Sequence, residues 1–184
     1  MRTFIAIDIP EDVKTSLANL QAELKQIGAD AAWTNPAGMH LTLKFLGEVS
    51  ESLIPEIEKS CMAAVSAIEQ LTMTLNGTGV FPNFRNPRVL WAGIKEETGR
   101  LLELQRRLEV ELRSQGFRPE DKPFNPHLTL CRIKSPRNSR ELIARAEMYD
   151  LPEISFGVMD IRLYKSELSP AGSKYTELYR SHFR

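Results

Sequence analysis

Two of the three histidines stand at the start of the same four-residue sequence. The letters HLTL begin at His40 and begin again at His127. Imidazole has an ordinary pKa of about 6.5, so near neutral pH one histidine of a pair can accept a proton while the other donates one. The threonine two residues later, Thr42 or Thr129, supplies a hydroxyl that can donate a hydrogen bond to a phosphate oxygen. These residue types favour cleavage of a phosphoester by side chains alone, with neither a metal ion nor a covalent nucleophile.

The spacing of the motif fits a β-strand with one polar and one apolar face. Side chains two residues apart in a strand share a face, so His40 and Thr42 would project together while Leu41 and Leu43 point the other way. The second copy gives the same arrangement. If the two strands face each other, two imidazoles and two hydroxyls converge in one cleft.

The repeat alone does not establish catalysis. A single His-x-Thr sequence is weak evidence of it because threonine is common in strands, and duplication of a structural strand would also produce two copies. The third histidine, His182, has Arg184 instead of threonine two residues later, and we expect it to be a surface residue. The residues alone do not assign the proton donor and the proton acceptor.

The apolar pattern predicts an α+β fold. Strands are predicted over residues 3–10, 31–34, 39–46, 71–81, 88–95, 153–168 and 174–180, and around the second HLTL. Helices are predicted over residues 11–27, 52–69, 99–114 and 138–147. No change of composition marks a linker, so we expect one domain over residues 1–184. It would consist of two similar halves, each with helices outside a mainly antiparallel sheet.

The composition is that of an ordinary globular protein, with 42% hydrophobic and 26% charged residues. Lys and Arg total 24, as do Asp and Glu, so any contact with nucleic acid must be local. Cys61 and Cys131 lack metal-ligand spacing and suit a reducing compartment. The apolar stretch in residues 1–10 is too short for a signal peptide or a membrane span. We therefore expect a cytoplasmic protein with no membrane partner.

Several segments, in addition to the motifs, resemble one known family. The paired His-x-Thr-x motifs are the mark of the two-histidine (2H) phosphoesterases. Within that superfamily the chain resembles the RNA 2′,3′-cyclic phosphodiesterases, also called 2′-5′ RNA ligases. The resemblance covers most of the chain in the family's order, through FIAIDIP, Trp33, HLTLKFLGEV, GVFPNFRNPRVLWAGI, FNPHLTLCR and LYKSELSPAGSKYTEL.

The resemblance implies roles for individual residues. The family fold has two lobes, each a small antiparallel sheet backed by helices, with the active cleft between the sheets. His40 would then be the proton donor and His127 the proton acceptor, while Thr42 and Thr129 hold phosphate oxygens and Arg132 neutralises phosphate charge. In an unbroken strand, however, Arg132 would share a face with the buried leucines. The strand must bend or end near residue 131, or the arginine must reach around it.

The implied activity is hydrolysis of RNA ends that carry a 2′,3′-cyclic phosphate, on single-stranded RNA or tRNA fragments, to 2′-phosphomonoesters. A minor reverse 2′-5′ ligation would accompany it. We expect a monomer that needs neither cofactor nor metal. Two alternatives are a phosphodiesterase for a small cyclic-phosphate nucleotide and a non-catalytic module that binds RNA ends.

Other side chains are weaker candidates for contacts with RNA. Aromatic residues that could stack a base, although each would more often belong to the core, are Phe4, Trp33, Phe84 and Tyr164. Cations that flank the motifs and could attract a phosphate backbone, although exposed charges usually serve solubility, are Arg85, Arg88, Lys122, Lys134 and Arg137.

Overall fold

A computed structural model describes residues 1–170 and 172–184. Its strands are β1 (Arg2–Asp8), β2 (Ala31–Trp33), β3 (His40–Glu48), β4 (Leu71–Phe81), β5 (Val89–Lys95), β6 (His127–Ile133), β7 (Ser155–Val158), β8 (Asp160–Ser169) and β9 (Gly172–His182). Its α-helices are α1 (Glu11–Lys25), α2 (Ile54–Val65), α3 (Arg100–Arg113) and α4 (Ser139–Met148). Short 3-10 helices at Pro36–Gly38 and Glu51–Leu53 precede β3 and α2.

The strands form two antiparallel sheets, which confirms the predicted α+β class. The first sheet has the order β3-β1-β8-β9 and the second has the order β2-β6-β5-β4-β7. Each sheet contains strands from both halves of the sequence, because β8 and β9 join β1 and β3 while β2 joins the second sheet. The lobes therefore do not coincide with consecutive halves of the chain.

The prediction of one long strand over residues 153–168 is wrong. The chain passes there from β7, which pairs with β4 of the second sheet, to β8, which pairs with β1 of the first sheet. Val158 and Ile161 are both buried although they are three residues apart, so the alternation changes phase at the exposed Met159 between them. That phase change was visible in the sequence.

Buried apolar side chains at helical spacing attach the helices to the rest of the fold. In α3, Leu101, Leu104, Leu108 and Leu112 are almost completely buried, and this helix packs against β3. Full burial of one such side chain contributes about 1.5–3 kcal/mol relative to exposure. None of the helices in the described part of the chain is long and apolar enough to cross a membrane.

Candidate active site

The two HLTL sequences lie on β3 and β6, and these strands of different sheets contact each other. In both strands the leucines are buried and the histidine and threonine are half-buried, which confirms the predicted separation of polar and apolar faces. The fold thus brings the two motifs to the junction of the sheets.

The two imidazoles are held in the same way. The Nδ1 atom of His40 donates a hydrogen bond of 2.8 Å to the carbonyl of Gly38, and Nδ1 of His127 donates one of 2.7 Å to the carbonyl of Asn125. A carbonyl can only accept, so the proton of each neutral ring is on Nδ1. Within the described residues neither Nε2 atom has a hydrogen-bond partner. Each Nε2 can therefore accept a proton when the ring is neutral or donate one when it is charged.

Aromatic rings surround both histidines. His40 stacks on Phe4 with ring centres 4.5 Å apart and lies nearly perpendicular to Tyr175, with ring centres 5.0 Å apart. His127 lies nearly perpendicular to Phe81, with ring centres 4.9 Å apart. Burial against these rings disfavours the charged imidazolium and lowers the pKa of both histidines.

Nearby charges affect the two histidines differently. Burial is the largest influence on both, but the Asp8 carboxylate, which outweighs Lys14, raises the pKa of His40 in part. The Arg132 cation lowers the pKa of His127 further. The neighbouring charges therefore act in opposite directions on the two histidines, while burial holds the pKa of both below the ordinary value.

A β-bulge places Arg132 on the same face of β6 as Thr129. Across β5, Trp91 pairs with Thr129 while Val89 pairs with Arg132, and the register shifts between them. Trp91 and Val89 are two residues apart and share a face, so their partners do as well. The strand bends near residue 131, and this resolves the parity problem raised by the sequence.

The first motif contains the same irregularity. Phe4 and Ala6 of β1 pair with Phe45 and Thr42, and the register shifts between Ile5 and Ala6. Phe45 therefore lies on the face of Thr42 and is 59% exposed. It occupies the position, five residues after the histidine, that Arg132 occupies in the second motif. Sequence reasoning missed this aromatic side chain because it would face the core in an unbroken strand.

The first bulge also buries a cation that sequence reasoning missed. Lys44 is 3% exposed, and its Nζ lies 3.0 Å and 3.1 Å from the two carboxylate oxygens of Glu109 on α3. It also donates to the carbonyl of Arg118 at 2.7 Å and lies 3.5 Å from Glu120. A buried charge requires such partners. Lys44 thus links the first motif to the segment that leads into the second.

A buried glutamine supports the second bulge. The Nε2 group of Gln21 on α1 donates to the carbonyls of Leu130 and Thr34, at 2.9 Å and 2.8 Å. The Thr34 amide also donates to Leu130. The carbonyl at the bulge is therefore satisfied from two sides, which fixes the strand where Arg132 turns toward the site.

The remaining predicted candidates lie in varied environments. Phe4 is buried behind His40, and Trp33 and Tyr164 are half-buried, whereas Phe84 is 61% exposed. The five flanking cations are all exposed. His182 is exposed on β9, at the opposite edge of the first sheet from β3. Among the residues that the structure describes, no three side chains of the His, Cys, Asp or Glu type form a cluster that could hold a metal ion.

A family model described as LigT-like phosphoesterase matches residues 7–91 and 93–175. The chain belongs to this family. Each matched stretch contains one HLTL sequence, so both motifs lie within the part that defines a LigT-like phosphoesterase.

Curated relatives cover nearly the whole chain. A protein of Thermotoga maritima is 40% identical over 184 residues, which are 100% of this chain and 96% of that protein. A protein of Methanothermobacter thermautotrophicus is 36% identical over 179 residues, 97% of this chain and 96% of its own length. Both bear the name RNA 2′,3′-cyclic phosphodiesterase, an enzyme activity.

Two solved structures share the fold. A protein of Thermus thermophilus superposes with a TM-score of 0.81 and 30% identity, over 100% of this chain and 98% of that chain. E. coli LigT in complex with 3′-AMP gives a TM-score of 0.78 and 26% identity, over 99% and 97% of the two chains.

Proposed function

We propose that this protein hydrolyses 2′,3′-cyclic phosphate ends of RNA to 2′-phosphomonoesters by acid–base catalysis between two histidines. The observation that carries the proposal is the matched pair of imidazoles. Each is fixed through Nδ1 to a carbonyl two residues before it, each has a threonine two residues after it, and their strands are in contact.

His127 is the general base in this mechanism. Its Nε2 removes a proton from a water molecule as the water oxygen attacks phosphorus. Arg132 supports this role, because a nearby cation keeps the imidazole neutral and able to accept the proton.

His40 is the general acid. The bond between phosphorus and the 3′ oxygen breaks, and the 3′ oxygen takes the proton from Nε2 of His40. The product has a 2′-phosphomonoester and a 3′-hydroxyl. Asp8 supports this role because its carboxylate favours the protonated imidazole. A second turnover requires the proton to pass from His127 back to His40 through solvent.

The hydroxyls of Thr42 and Thr129 hold the non-bridging oxygens of the phosphate in this proposal. They share a face with the histidines, where they can donate hydrogen bonds to charge that develops during attack. Arg132 lies on that face too and offers a bidentate, permanently charged group for the same oxygens.

The substrate class is supported by the relatives and by one solved complex. The two curated relatives described above are named for RNA 2′,3′-cyclic phosphate, and E. coli LigT binds 3′-AMP in its crystal structure. By microscopic reversibility an RNA 5′-hydroxyl that replaces water would form a minor 2′-5′ linkage. No metal or cofactor has a part in these steps, because side chains supply both proton transfers and the phosphate contacts.

The test is digestion of end-labelled RNA that carries a 2′,3′-cyclic phosphate, followed by mapping of the product phosphate. We expect a 2′-phosphate, formed equally well in the presence of EDTA. A 3′-phosphate would contradict the assigned roles, and absence of turnover would favour a module that only binds RNA ends. A much higher kcat/KM for a small cyclic nucleotide than for RNA would favour the alternative substrate class.

A further inference from the structure

We propose that the RNA strand upstream of the cyclic phosphate leaves the site across the end of the second sheet, along four cations and one exposed aromatic ring. The cations are Arg85, Arg88, Lys134 and Arg137, called here the basic end, and the ring is that of Phe84. This inference rests on the proposed function and adds to it an oligonucleotide subsite.

Charge is distributed unevenly in a chain whose total charge is balanced. Residues 70–95 contain three Lys or Arg and no carboxylate, and residues 122–140 contain five Lys or Arg and no carboxylate. These stretches include β4, β5 and β6, the loop 82–88 between β4 and β5, and the loop 134–138 after β6. The second sheet thus presents a positive potential that the net charge of zero conceals.

The backbone brings the four cations of the basic end together. The amide of Arg88 donates to the carbonyl of Phe81, and Ile133 donates to the carbonyl of Arg88. The backbone amide of Lys134 donates to the backbone carbonyl of Asp30, and the amide of Asp30 donates to the carbonyl of Arg137. The loops 82–88 and 134–138 therefore meet at the same end of the second sheet.

The basic end adjoins the candidate active site. Phe81, where the first of these loops begins, contacts the ring of His127 at 4.9 Å. Lys134 lies two residues beyond Arg132, a rise of about 7 Å along a strand. A phosphate backbone that passes Arg132 would reach Lys134 next.

These cations lack carboxylate partners. All four are exposed, and in the described part of the chain none lies within 4.0 Å of an Asp or Glu oxygen, Asp30 included. The charge of an exposed cation without a carboxylate partner is available to neutralise a phosphate. Each phosphate neutralised in this way releases a counterion from the nucleic acid.

The first sheet leaves fewer of its cations unpaired. Three cations on and beside it, Lys14, Arg162 and Arg180, bind the three carboxylates Asp8, Asp160 and Glu177 at 2.9–3.3 Å. On the described strands of that sheet two exposed cations, Arg2 and Lys174, have no carboxylate within 4.0 Å, against four at the basic end, so the second sheet is the favoured exit for the strand.

Phe84 provides an independent observation. It lies in loop 82–88 directly before Arg85, and 61% of its surface is exposed. Single-stranded RNA is bound where cations follow the backbone and an aromatic ring stacks a base. Phe84 and the basic end together have this composition.

The experiment compares a mononucleotide 2′,3′-cyclic phosphate with an RNA of about ten nucleotides that ends in one, a length within the usual range of such sites. For the natural sequence, an increase from about 50 to about 200 mM salt should lower kcat/KM for both substrates. The decrease should be up to about 50-fold larger for the RNA than for the mononucleotide, because four phosphate contacts on a single strand have that salt dependence. In R85A/R88A/K134A/R137A this excess should disappear together with the preference for RNA. Phe84→Ala should reduce the preference and leave the salt dependence unchanged.

The matched control is Lys59→Ala with Arg113→Ala, which removes two exposed cations from α2 and α3 and should retain both the preference and the salt dependence. Equal kcat/KM for the two substrates in the natural sequence, or a preference that survives the fourfold substitution, would overturn the inference while the proposed function stands. Failure to hydrolyse either substrate would overturn the proposed function itself.

Discussion

Asp8 and His40 lie directly opposite each other on β1 and β3. The Asp8 carboxylate also binds Lys14 at 3.3 Å and Arg162 at 2.9 Å. Among the described residues it is the one carboxylate that raises the pKa of either motif histidine. The charges around the two histidines thus differ, although both rings are held in the same way.

The dependence of kcat/KM on pH should be a bell whose two limbs lie below those of a histidine pair with the ordinary pKa of 6.5. Burial lowers both pKa values, and the proposed mechanism requires one charged and one neutral ring. The apparent values belong to the pair rather than to either residue.

Substitution of Asp8 by Asn should lower the pKa of His40 further, because it removes the carboxylate that favours the imidazolium. The measurement is an NMR titration of the His40 ring in a His127→Ala background. Asp160→Asn is the matched control, since Asp160 binds the same Arg162 at 3.0 Å but does not act on His40. A rise in the pKa of His40 in Asp8→Asn would contradict the assignment.

Replacement of either motif histidine by Ala should reduce kcat by roughly 10²- to 10⁴-fold, the usual contribution of one proton-transfer group. The double substitution should cost far less than the product of the two, because the residues act as a unit. His182→Ala, on the distant strand β9, should retain full activity. Single-turnover rates on cyclic-phosphate RNA provide the measurement, and an equal loss in His182→Ala would exclude the paired motif as the active site.

The helices, most of the strands and the polar face of each motif could be predicted from the sequence, because they follow from local spacing. The bulges could not. Each bulge places two consecutive residues in the core, Leu43 with Lys44 in β3 and Leu130 with Cys131 in β6. A lysine after a leucine gives no indication in the sequence that both are buried. Lys44 can be buried only because Glu109 and the carbonyl of Arg118, distant in sequence, come to it. The consequences, an exposed Phe45 and an Arg132 turned toward the site, therefore lay beyond prediction from local pattern.

The buried ion pair of Lys44 should respond unequally to loss of its partners. Glu109→Gln leaves a lysine that is 3% exposed without its main counter-ion, so we expect a loss of about 3–5 kcal/mol in the free energy of unfolding. Lys44→Met should cost less, because Glu109 is 15% exposed and can be solvated. Urea unfolding gives both values. Glu120→Gln, which alters a half-exposed carboxylate 3.5 Å from the same Nζ, should cost less than about 1 kcal/mol. Equal losses in all three variants would show that Lys44 does not depend on Glu109.

Gly79→Ala should displace Trp91 and impair the second motif. Gly79 lies opposite Trp91 on β4 and β5, and a Cβ atom there would stand 2.3 Å from two carbons of the indole ring. The rigid ring must move, at a cost of about 1–3 kcal/mol, and its centre lies 6.1 Å from that of His127.

In a Trp33→Phe background, the emission maximum of the remaining tryptophan should shift and kcat/KM should fall. Gly157→Ala is the control on β7, because its Cβ would meet only the flexible end of Gln70, at 2.7 Å. Unchanged emission in Gly79→Ala would mean that the indole does not lie across this glycine.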